Sequence, residues 1–498
     1  MDVVLAGLLD AFNPTTIAFI VIGVAIGNLF GAIPGLNSLI AIAIAVPITY
    51  YLSPLAAIAM LMGMDKGGKF GGSVSAILIN TPGSPEAAAT VFDGYPLARQ
   101  GKALKALKMA LYASVFGETL SGIILVAVAA PLAAVAIMLG PPELTAVIVL
   151  AFALISSLVG ESPFKGLIMI GLGVFVGTIG NDPVTAEPRL TFGWSALTDG
   201  IPFVAMAVGL LALSEIIIQL ETRGETASAL AGLRGSTRRE DRRVSWREFW
   251  ACRRTLLRSS LIGAACGAAP GIGASVTPFI AYGAAKRASD QPETFGTGRL
   301  EGVAAAESAD SAVAGANLVP LITLGIPGSA TAALMVGAFI IHGVVPGPLM
   351  FQQHAQLIYG LFGAVFIGTA INFVIGQFGM RLFAAAVSVP RSVLFPIVAL
   401  LILAGTYLAA RSLFAVGVVI AFGIFGYVIR KLDFPYVNFV IGFILGKELE
   451  TNLRATLILS DNNPLILIER PIASALLVVA GLIFWRFGFA RRRRPAAT

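Results

Sequence analysis

Two Pro-Gly-Ser turns carry the residues whose types and spacing are suited to binding a ligand. In the first turn, Gly83 permits a sharp reversal, Ser84 is a favoured helix N-cap, and Pro85 fits the first helical position. The second turn repeats the pattern at Gly328 and Ser329. The start of a helix presents unpaired backbone N–H groups and the positive end of the helix dipole. Two such helix starts that converge predict an anion-binding site with little fixed charge. A carboxylate is the simplest ligand that fits such a site.

Hydroxyl and amide side chains surround these turns and a second pair of Pro-Gly breaks, at Pro34 and Pro270. Broken helices also free carbonyl oxygens, which together with side-chain oxygens can bind a coupling sodium ion. The residues predicted to bind substrate are Gly35, Asn37, Ser38, Lys66, Ser73, Asn80, Thr81, Gly83, Ser84, Gly271, Ser275, Asn317, Gly328 and Ser329. The alternative interpretation is that the Pro-Gly turns only connect helices at the membrane surface.

Charged residues lie close to the same motifs. Asp65, Lys66 and Lys69 lie between short apolar segments, where they could place a cation near the substrate or form a salt bridge at the membrane boundary. Glu118 interrupts a long apolar run, and either a role in ion coupling or pairing with a neighbouring helix would explain it. The residues predicted to bind the coupling ion are Asp65, Glu118, Thr277, Asp310 and Thr323. Sodium is the expected ion, and a proton is the alternative.

The elements that position these residues must lie in a membrane. Of the 498 residues, 57% are hydrophobic and only 12% are charged, whereas roughly 25% are charged in a soluble domain. The mean hydropathy is +0.87, and no stretch is polar enough to form a separate soluble catalytic domain. With about 20 residues per span, the length predicts about ten to twelve transmembrane helices. The expected fold class is an all-α polytopic membrane protein.

Several apolar segments are too short to cross a bilayer alone. They run between glycines, prolines and polar groups, as expected for re-entrant arms or broken helices. These segments are 39–51, 54–64, 70–79, 312–324 and 434–446.

The chain repeats its motifs in order. Residues 27–35 and 263–271 share the pattern G-x-x-x-G-A-x-P-G, and residues 72–84 resemble residues 317–329. Basic residues follow the first set of motifs, whereas no Lys or Arg follows the second set over 346–356. Under the positive-inside rule, equivalent motifs therefore fall on opposite sides of the membrane, which predicts two inverted repeats. This is the organisation of secondary transporters with a substrate site near the membrane midplane.

The predicted domain organisation follows from these repeats and from the basic residues. It comprises a first transmembrane repeat at 1–220, a basic cytoplasmic linker at 221–258, a second repeat at 259–467, and an extra helix with a basic tail at 468–498. Although the net charge is +7, arginines concentrate in the linker and in the tail, which includes Arg491–Arg494. Under the positive-inside rule both segments, and hence the C-terminus, are cytoplasmic. No nucleic-acid partner is expected.

Four motifs stand out in the sequence, namely Gly31–Gly35, residues 71–83, Asp93–Pro96 with Arg99–Gly101, and Pro320–Gly328. In these motifs, and over about residues 12–467, the sequence resembles the large permease subunit of tripartite tricarboxylate transporters. The sequence departs from the family pattern at Asp65-Lys66, where uncharged aromatic residues are usual, and at Asp310-Ser311, where an Asn-Asn pair is usual.

This resemblance implies a permease of the bacterial inner membrane. It would work with a small membrane subunit and a periplasmic solute-binding protein to import di- or tricarboxylates by ion-driven symport. Two other classes of function are alternatives to a permease. An intramembrane enzyme lacks support because the chain has neither an H-E-x-x-H nor a G-x-S-x-G motif. A membrane scaffold or channel subunit without active transport is less consistent with broken-helix repeats.

Overall fold

The computed structural model describes residues 2–158, 162–221, 238–269, 275–387, 389 and 391–490. Helices dominate this part of the chain, which confirms the expected all-α fold. Five of the described helical stretches are long and apolar enough to cross a membrane. They are Pro14–Ala32, Ala103–Ile137, Phe203–Glu221, Ala355–Ala386 and Leu413–Lys431. Shorter apolar helices accompany them, and the number of crossings stays a prediction.

The first half of the chain contains both long and short helices. They are α1 (Asp2–Ala11), α2 (Pro14–Ala32), α3 (Ser38–Thr49), α4 (Pro54–Ile79), a 3-10 helix (Pro85–Thr90), α5 (Val91–Arg99), α6 (Ala103–Ile137), α7 (Pro141–Leu158), α8 (Pro163–Gly177), α9 (Phe203–Val208) and α10 (Ser214–Glu221). A π-helical turn at Gly209–Leu213 joins α9 to α10.

The helices of the second half follow the arginine-rich linker. They are α11 (Trp246–Ala251), α12 (Arg253–Ala268), α13 (Thr277–Arg287), α14 (Leu300–Ala316), α15 (Leu318–Leu324), α16 (Ala330–Ile341), α17 (Met350–Gln353), α18 (Ala355–Ala386), α19 (Arg391–Ala410), α20 (Leu413–Lys431), α21 (Tyr436–Leu459), α22 (Ile466–Glu469) and α23 (Pro471–Ala490). Short 3-10 turns lie at Ser195–Leu197, Arg239–Asp241 and Pro292–Thr294. The linker residues 222–237 and the tail residues 491–498 lie outside the described residues.

Polar caps explain where several helices begin. The side chain of Asn37 accepts a hydrogen bond from the Ile40 N–H at 3.1 Å at the start of α3. Ser53 does the same for the Ala56 N–H at 3.4 Å at the start of α4, where Pro54 occupies the first turn. Such caps satisfy backbone donors that no helical carbonyl can reach.

Two central helices, α4 and α14, are buried around almost their whole circumference. They contain the charged residues Asp65, Lys66, Lys69, Glu307 and Asp310, all of which are buried. The segments 54–64 and 70–79 are therefore not separate arms, because α4 runs through both of them. Likewise, the segment 434–446 is the first part of the long helix α21. The short segment 39–51 does form a separate helix, α3.

Glycines allow neighbouring helices to approach these two central helices closely. A Cβ at Gly27 or Gly31 of α2 would lie 2.2 or 2.3 Å from a backbone carbonyl oxygen of α4. At the corresponding position of the second half, a Cβ at Gly263 of α12 would lie 2.3 Å from the Ala309 oxygen of α14. The repeated G-x-x-x-G pattern therefore packs helices against α4 and α14.

A short antiparallel ribbon, β1 (Gly180–Asn181) with β2 (Pro188–Arg189), lies between α8 and α9. Hydrogen bonds from the backbone N–H groups of Thr185 and Val184 lower the pKa of Asp182, and Arg454 of α21 lowers it further. Arg454 pairs with Asp182 at 2.8 Å, while Arg189 pairs with Glu450 at 2.7 Å. These ion pairs hold the ribbon against α21.

Candidate functional site

A cavity of about 180 Å³ lies where helix breaks from both halves of the chain meet. It is smaller than the roughly 300–1,000 Å³ pockets that hold drug-sized ligands, so its size fits a small metabolite. Seven residues predicted to bind substrate line it, together with one predicted to bind the ion. The seven are Asn37, Ser38, Ser84, Ser275, Asn317, Gly328 and Ser329, and the eighth is Asp65.

Helix starts supply much of the cavity wall. Asn37 caps α3, and Ser329 caps α16 by accepting a hydrogen bond from the Ala332 N–H at 3.2 Å. Ser84 precedes the 3-10 helix, so a helix does begin there, but its side chain makes no capping hydrogen bond. The starts of α3 and α16 bring positive dipole ends to one cavity, which favours an anion.

The breaks themselves depend on backbone conformations that α-helices do not contain. Asn80 after α4 and Gly325 after α15 both adopt left-handed conformations, with φ of 58° and 72°. Gly325 meets this requirement without steric cost, because glycine has no Cβ. Asn80 is exposed and lies outside the cavity. The neighbouring Thr81 is half-buried and also lies outside it, and its hydroxyl donates to the Ile79 carbonyl at 3.3 Å.

The cavity contains more fixed charge than the sequence predicted. Asp65, Lys69 and Glu86 all line it. The Ser38 hydroxyl donates to the Asp65 carboxylate at 3.4 Å, and among the described residues no cation forms an ion pair with Asp65. Lys69 donates to Asp310 at 2.7 Å, so its charge is already compensated. A bound carboxylate would therefore face two acids as well as two helix starts.

Lys66 lies away from the cavity, in a buried polar network. Its ammonium group donates to Glu118 at 3.2 Å and to the Thr369 hydroxyl at 2.8 Å. The Asn372 amide donates to the other Glu118 oxygen at 2.9 Å. Glu118 therefore does pair with a neighbouring helix, and its role in ion coupling stays a prediction.

Ser73 also points away from the cavity. Its hydroxyl donates to Glu307 at 2.5 Å, and Thr90 and Ser114 donate to the same carboxylate. All four residues are fully buried. This cluster joins α4, the 3-10 helix, α6 and α14.

The remaining predicted residues do not line the described cavity wall. Gly35 adopts a φ of +88°, and a Cβ there would lie 2.5 Å from the Gln219 side chain. Gly83 is buried, and a Cβ there would lie 2.0 Å from the Gly31 oxygen. Thr323 donates within its own helix to the Val319 carbonyl at 2.6 Å, while Thr277 is buried at the start of α13. Gly271 lies outside the described residues.

Sequence reasoning missed three polar residues of the cavity wall, Glu86, Thr331 and Tyr436. Lys69, which the sequence indicated as a candidate cation near the substrate, does line the cavity, and it lies four residues after Asp65 and therefore on the same face of the helix. Glu86 lies in the first turn after a predicted helix start, where acids are common. Tyr436 begins α21, and no motif connects it with the repeats.

Comparison with known proteins identifies the family to which this chain belongs. A sequence model of the "Tripartite tricarboxylate transporter TctA family" matches residues 17–441. The chain therefore belongs to the TctA family, as its motifs predicted. Members of this family are transport proteins and not enzymes, and this chain is a multi-pass membrane protein of that kind.

Two relatives from Agrobacterium vitis extend the comparison. The "Uncharacterized 52.8 kDa protein in TAR-I ttuC' 3'region" is 36% identical over 473 residues, which cover 95% of this chain and 93% of that protein. The "Uncharacterized protein in TAR-II ttuC' 3'region" is 34% identical over 215 residues, which cover 43% of this chain and 89% of that protein. No solved structure matches the chain.

Proposed function

We propose that this protein is the large permease subunit of a binding-protein-dependent importer of di- and tricarboxylates in the bacterial inner membrane. Membership of the TctA family implies a tripartite transporter with further subunits, here a small membrane subunit and a periplasmic solute-binding protein. The single observation that carries the proposal is the cavity between the helix breaks, because equivalent turns at Ser84 and Ser329 both line it.

The order of helices supports an inverted-repeat architecture. In each half, a glycine-containing helix precedes a short helix, as α2 precedes α3 and α12 precedes α13. A Pro-Gly pair lies between the two helices in the sequence of each half. A buried central helix then leads through a second break to the cavity, and a long apolar helix follows, α6 or α18. Transporters of this organisation bind substrate where such breaks meet.

Charge in the cavity explains why import would be coupled to a cation. Asp65 and Glu86 would repel a bound carboxylate, and Lys69 already pairs with Asp310. A sodium ion at Asp65, near the Ser38 hydroxyl and the other side-chain oxygens of the cavity, would offset this repulsion. Substrate and ion would then bind together, which is the requirement for symport. A proton carried by an acid is the alternative.

Uptake of a labelled panel of carboxylates tests the proposal in cells that contain all three subunits. We expect wild-type cells to take up a di- or tricarboxylate with an inward sodium gradient, and we expect Asp65→Asn to abolish the stimulation by sodium. Asp199→Asn, the same change in an exposed loop residue, is the matched control. Uptake driven by a pH gradient in sodium-free buffer would refute sodium coupling. Failure to transport any carboxylate in a correctly inserted complex would refute the substrate class.

A further inference from the structure

A second cavity, of about 550 Å³, has a strongly basic wall. It lies between the first turns of α6, the loop before α11, and the later part of α18. Four cations line it, namely Lys108, Arg242, Arg243 and Arg381, together with the apolar residues Leu104 and Phe378. Among the residues that the structure describes, no carboxylate lines it.

The four cations are not compensated by ion pairs within the described part of the chain. Glu248, the acid of nearby α11, pairs with Lys105 at 2.5 Å, outside the cavity wall. Glu240 and Asp241 precede the two loop arginines but do not line the cavity. Four like charges around one cavity repel one another, so an anionic ligand would stabilise them.

Aromatic residues indicate that the basic cavity lies at the level of the lipid headgroups. The rings of Trp246 and Trp250 on α11 stack at 5.6 Å, and their side chains are 74% and 52% exposed. Phe249 of the same helix packs against Tyr112 of α6 at 6.2 Å. Exposed tryptophans are typical of the boundary between bilayer and water.

An exposed apolar surface continues from the basic cavity along α18. Phe378 lines the cavity and is 84% exposed, and Val374 and Leu382 on the same helix are also exposed. A soluble carboxylate would use the four cations and leave this apolar surface unoccupied. A lipid uses both, because its headgroup is charged and its acyl chains are apolar.

We propose that the basic cavity binds the phosphate-bearing headgroup of an anionic phospholipid, whose acyl chains lie along Phe378 and its neighbours on α18. Basic pockets between transmembrane helices bind anionic headgroups in this way. Under the predicted topology, the lipid comes from the cytoplasmic leaflet. The proposal does not depend on the transported substrate.

Native mass spectrometry of the purified full-length chain tests this site by titration with phosphatidylglycerol or phosphatidylcholine. We expect wild type to prefer phosphatidylglycerol by about tenfold. We expect the preference to disappear when all four cations are replaced, as Lys108→Gln, Arg242→Gln, Arg243→Gln and Arg381→Gln. The matched control removes four exposed cations outside the cavity, by Arg247→Gln, Arg254→Gln, Lys286→Gln and Arg287→Gln, and should keep the preference.

Three outcomes would overturn the proposal. They are an unchanged preference in the fourfold cavity variant, an equal loss in the control variant, and displacement of the lipid by sn-glycerol 3-phosphate at equal concentration. The last result would indicate a site for soluble anions. If the fourfold variant does not fold, Arg242→Gln with Arg243→Gln decides the question, because both residues are exposed. A reduced preference in that double variant supports the site, and an unchanged one refutes it.

Discussion

At the scale of single residues, the Lys66–Glu118 pair shows how a charge can be structural inside a membrane protein. Both side chains are buried, and Thr369 and Asn372 complete their hydrogen bonds. A buried ion pair adds little stability compared with well-packed apolar residues, but removing one partner leaves the other charge without compensation. Within this pair, Glu118 compensates the charge of Lys66.

Glu118→Leu should destabilise the protein, because the Lys66 ammonium would remain buried without its carboxylate. The expected loss in the free energy of unfolding is roughly 3–5 kcal/mol. The double variant Lys66→Met with Glu118→Leu should recover most of it. Thermal unfolding in detergent measures the stability, and uptake measures transport. A stable double variant that has lost ion-dependent transport would contradict a structural role and assign Glu118 to coupling.

The two glycines of the Pro-Gly-Ser turns should differ in their tolerance of a side chain. At Gly83, a Cβ would lie 2.0 Å from the Gly31 backbone oxygen. At Gly328, it would meet the Asn317 side-chain oxygen at 2.9 Å, and that side chain can move. Gly83→Ala should therefore lower the melting temperature, at a cost of roughly 1–3 kcal/mol. Gly328→Ala should mainly reduce uptake, because Gly328 lines the cavity.

Gly171→Ala is the control for both glycine variants, because a Cβ at this exposed position has no atom within 4 Å. Valine at either turn should obstruct transport more strongly than alanine. If Gly83→Val and Gly328→Val are both inserted normally and transport normally, the turns are connectors and the substrate site lies elsewhere.

At the scale of elements, Asp93 connects the two halves of the chain. Its fully buried carboxylate accepts hydrogen bonds from the N–H groups of Gly296, Gly298 and Arg299 and from the Tyr282 hydroxyl. Residues 296–299 form the turn that leads into α14. This one carboxylate from α5 therefore helps to position a central helix of the other half.

Asp93→Ala should release the turn before α14, since it removes four hydrogen bonds at once. Each hydrogen bond to a charged group contributes roughly 1.5–3 kcal/mol, so this should be among the more destabilising single substitutions. Hydrogen exchange should become faster at the amides of Gly296, Gly298 and Arg299. Asp290→Ala, in an exposed position nearby, is the control. Unchanged protection of these three amides would show that other contacts hold the turn.

At the scale of the whole molecule, the orientation of the two halves is the central prediction. The basic residues near Arg238 and at Arg492 are expected on the cytoplasmic side, and Gln352 is expected on the periplasmic side. Arg492 lies outside the described residues, whereas Arg238 and Gln352 are both exposed. The prediction can therefore be tested at two exposed positions and at the terminal tail.

Single cysteines at positions 238, 352 and 492 should react with membrane-impermeant reagents from the expected sides. They are introduced after Cys252 and Cys266 have been replaced, because both are free cysteines. Labelling of position 352 from the cytoplasm alone would refute the inverted-repeat architecture. Labelling of position 238 from the periplasm would refute the positive-inside assignment.

The class of this protein and the positions where some of its helices begin could be predicted from the sequence. Composition required a polytopic membrane protein, and the short-range signals at Ser84 and Ser329 correctly marked helix starts, because a helix start depends on neighbouring residues. The repeated motifs also identified seven residues that line one cavity. These features are local or periodic, so they can be recognised without knowledge of packing.

The partners of the charged residues depend on how the helices pack. Asp65, Lys66 and Lys69 follow one another on a single helix, yet Asp65 faces the cavity, Lys66 meets Glu118, and Lys69 meets Asp310. The last pair joins residues far apart in the chain, and so does the contact of Asp93 with the turn before α14. Helical spacing specifies the direction of each side chain, but the partner depends on which helix packs against that face.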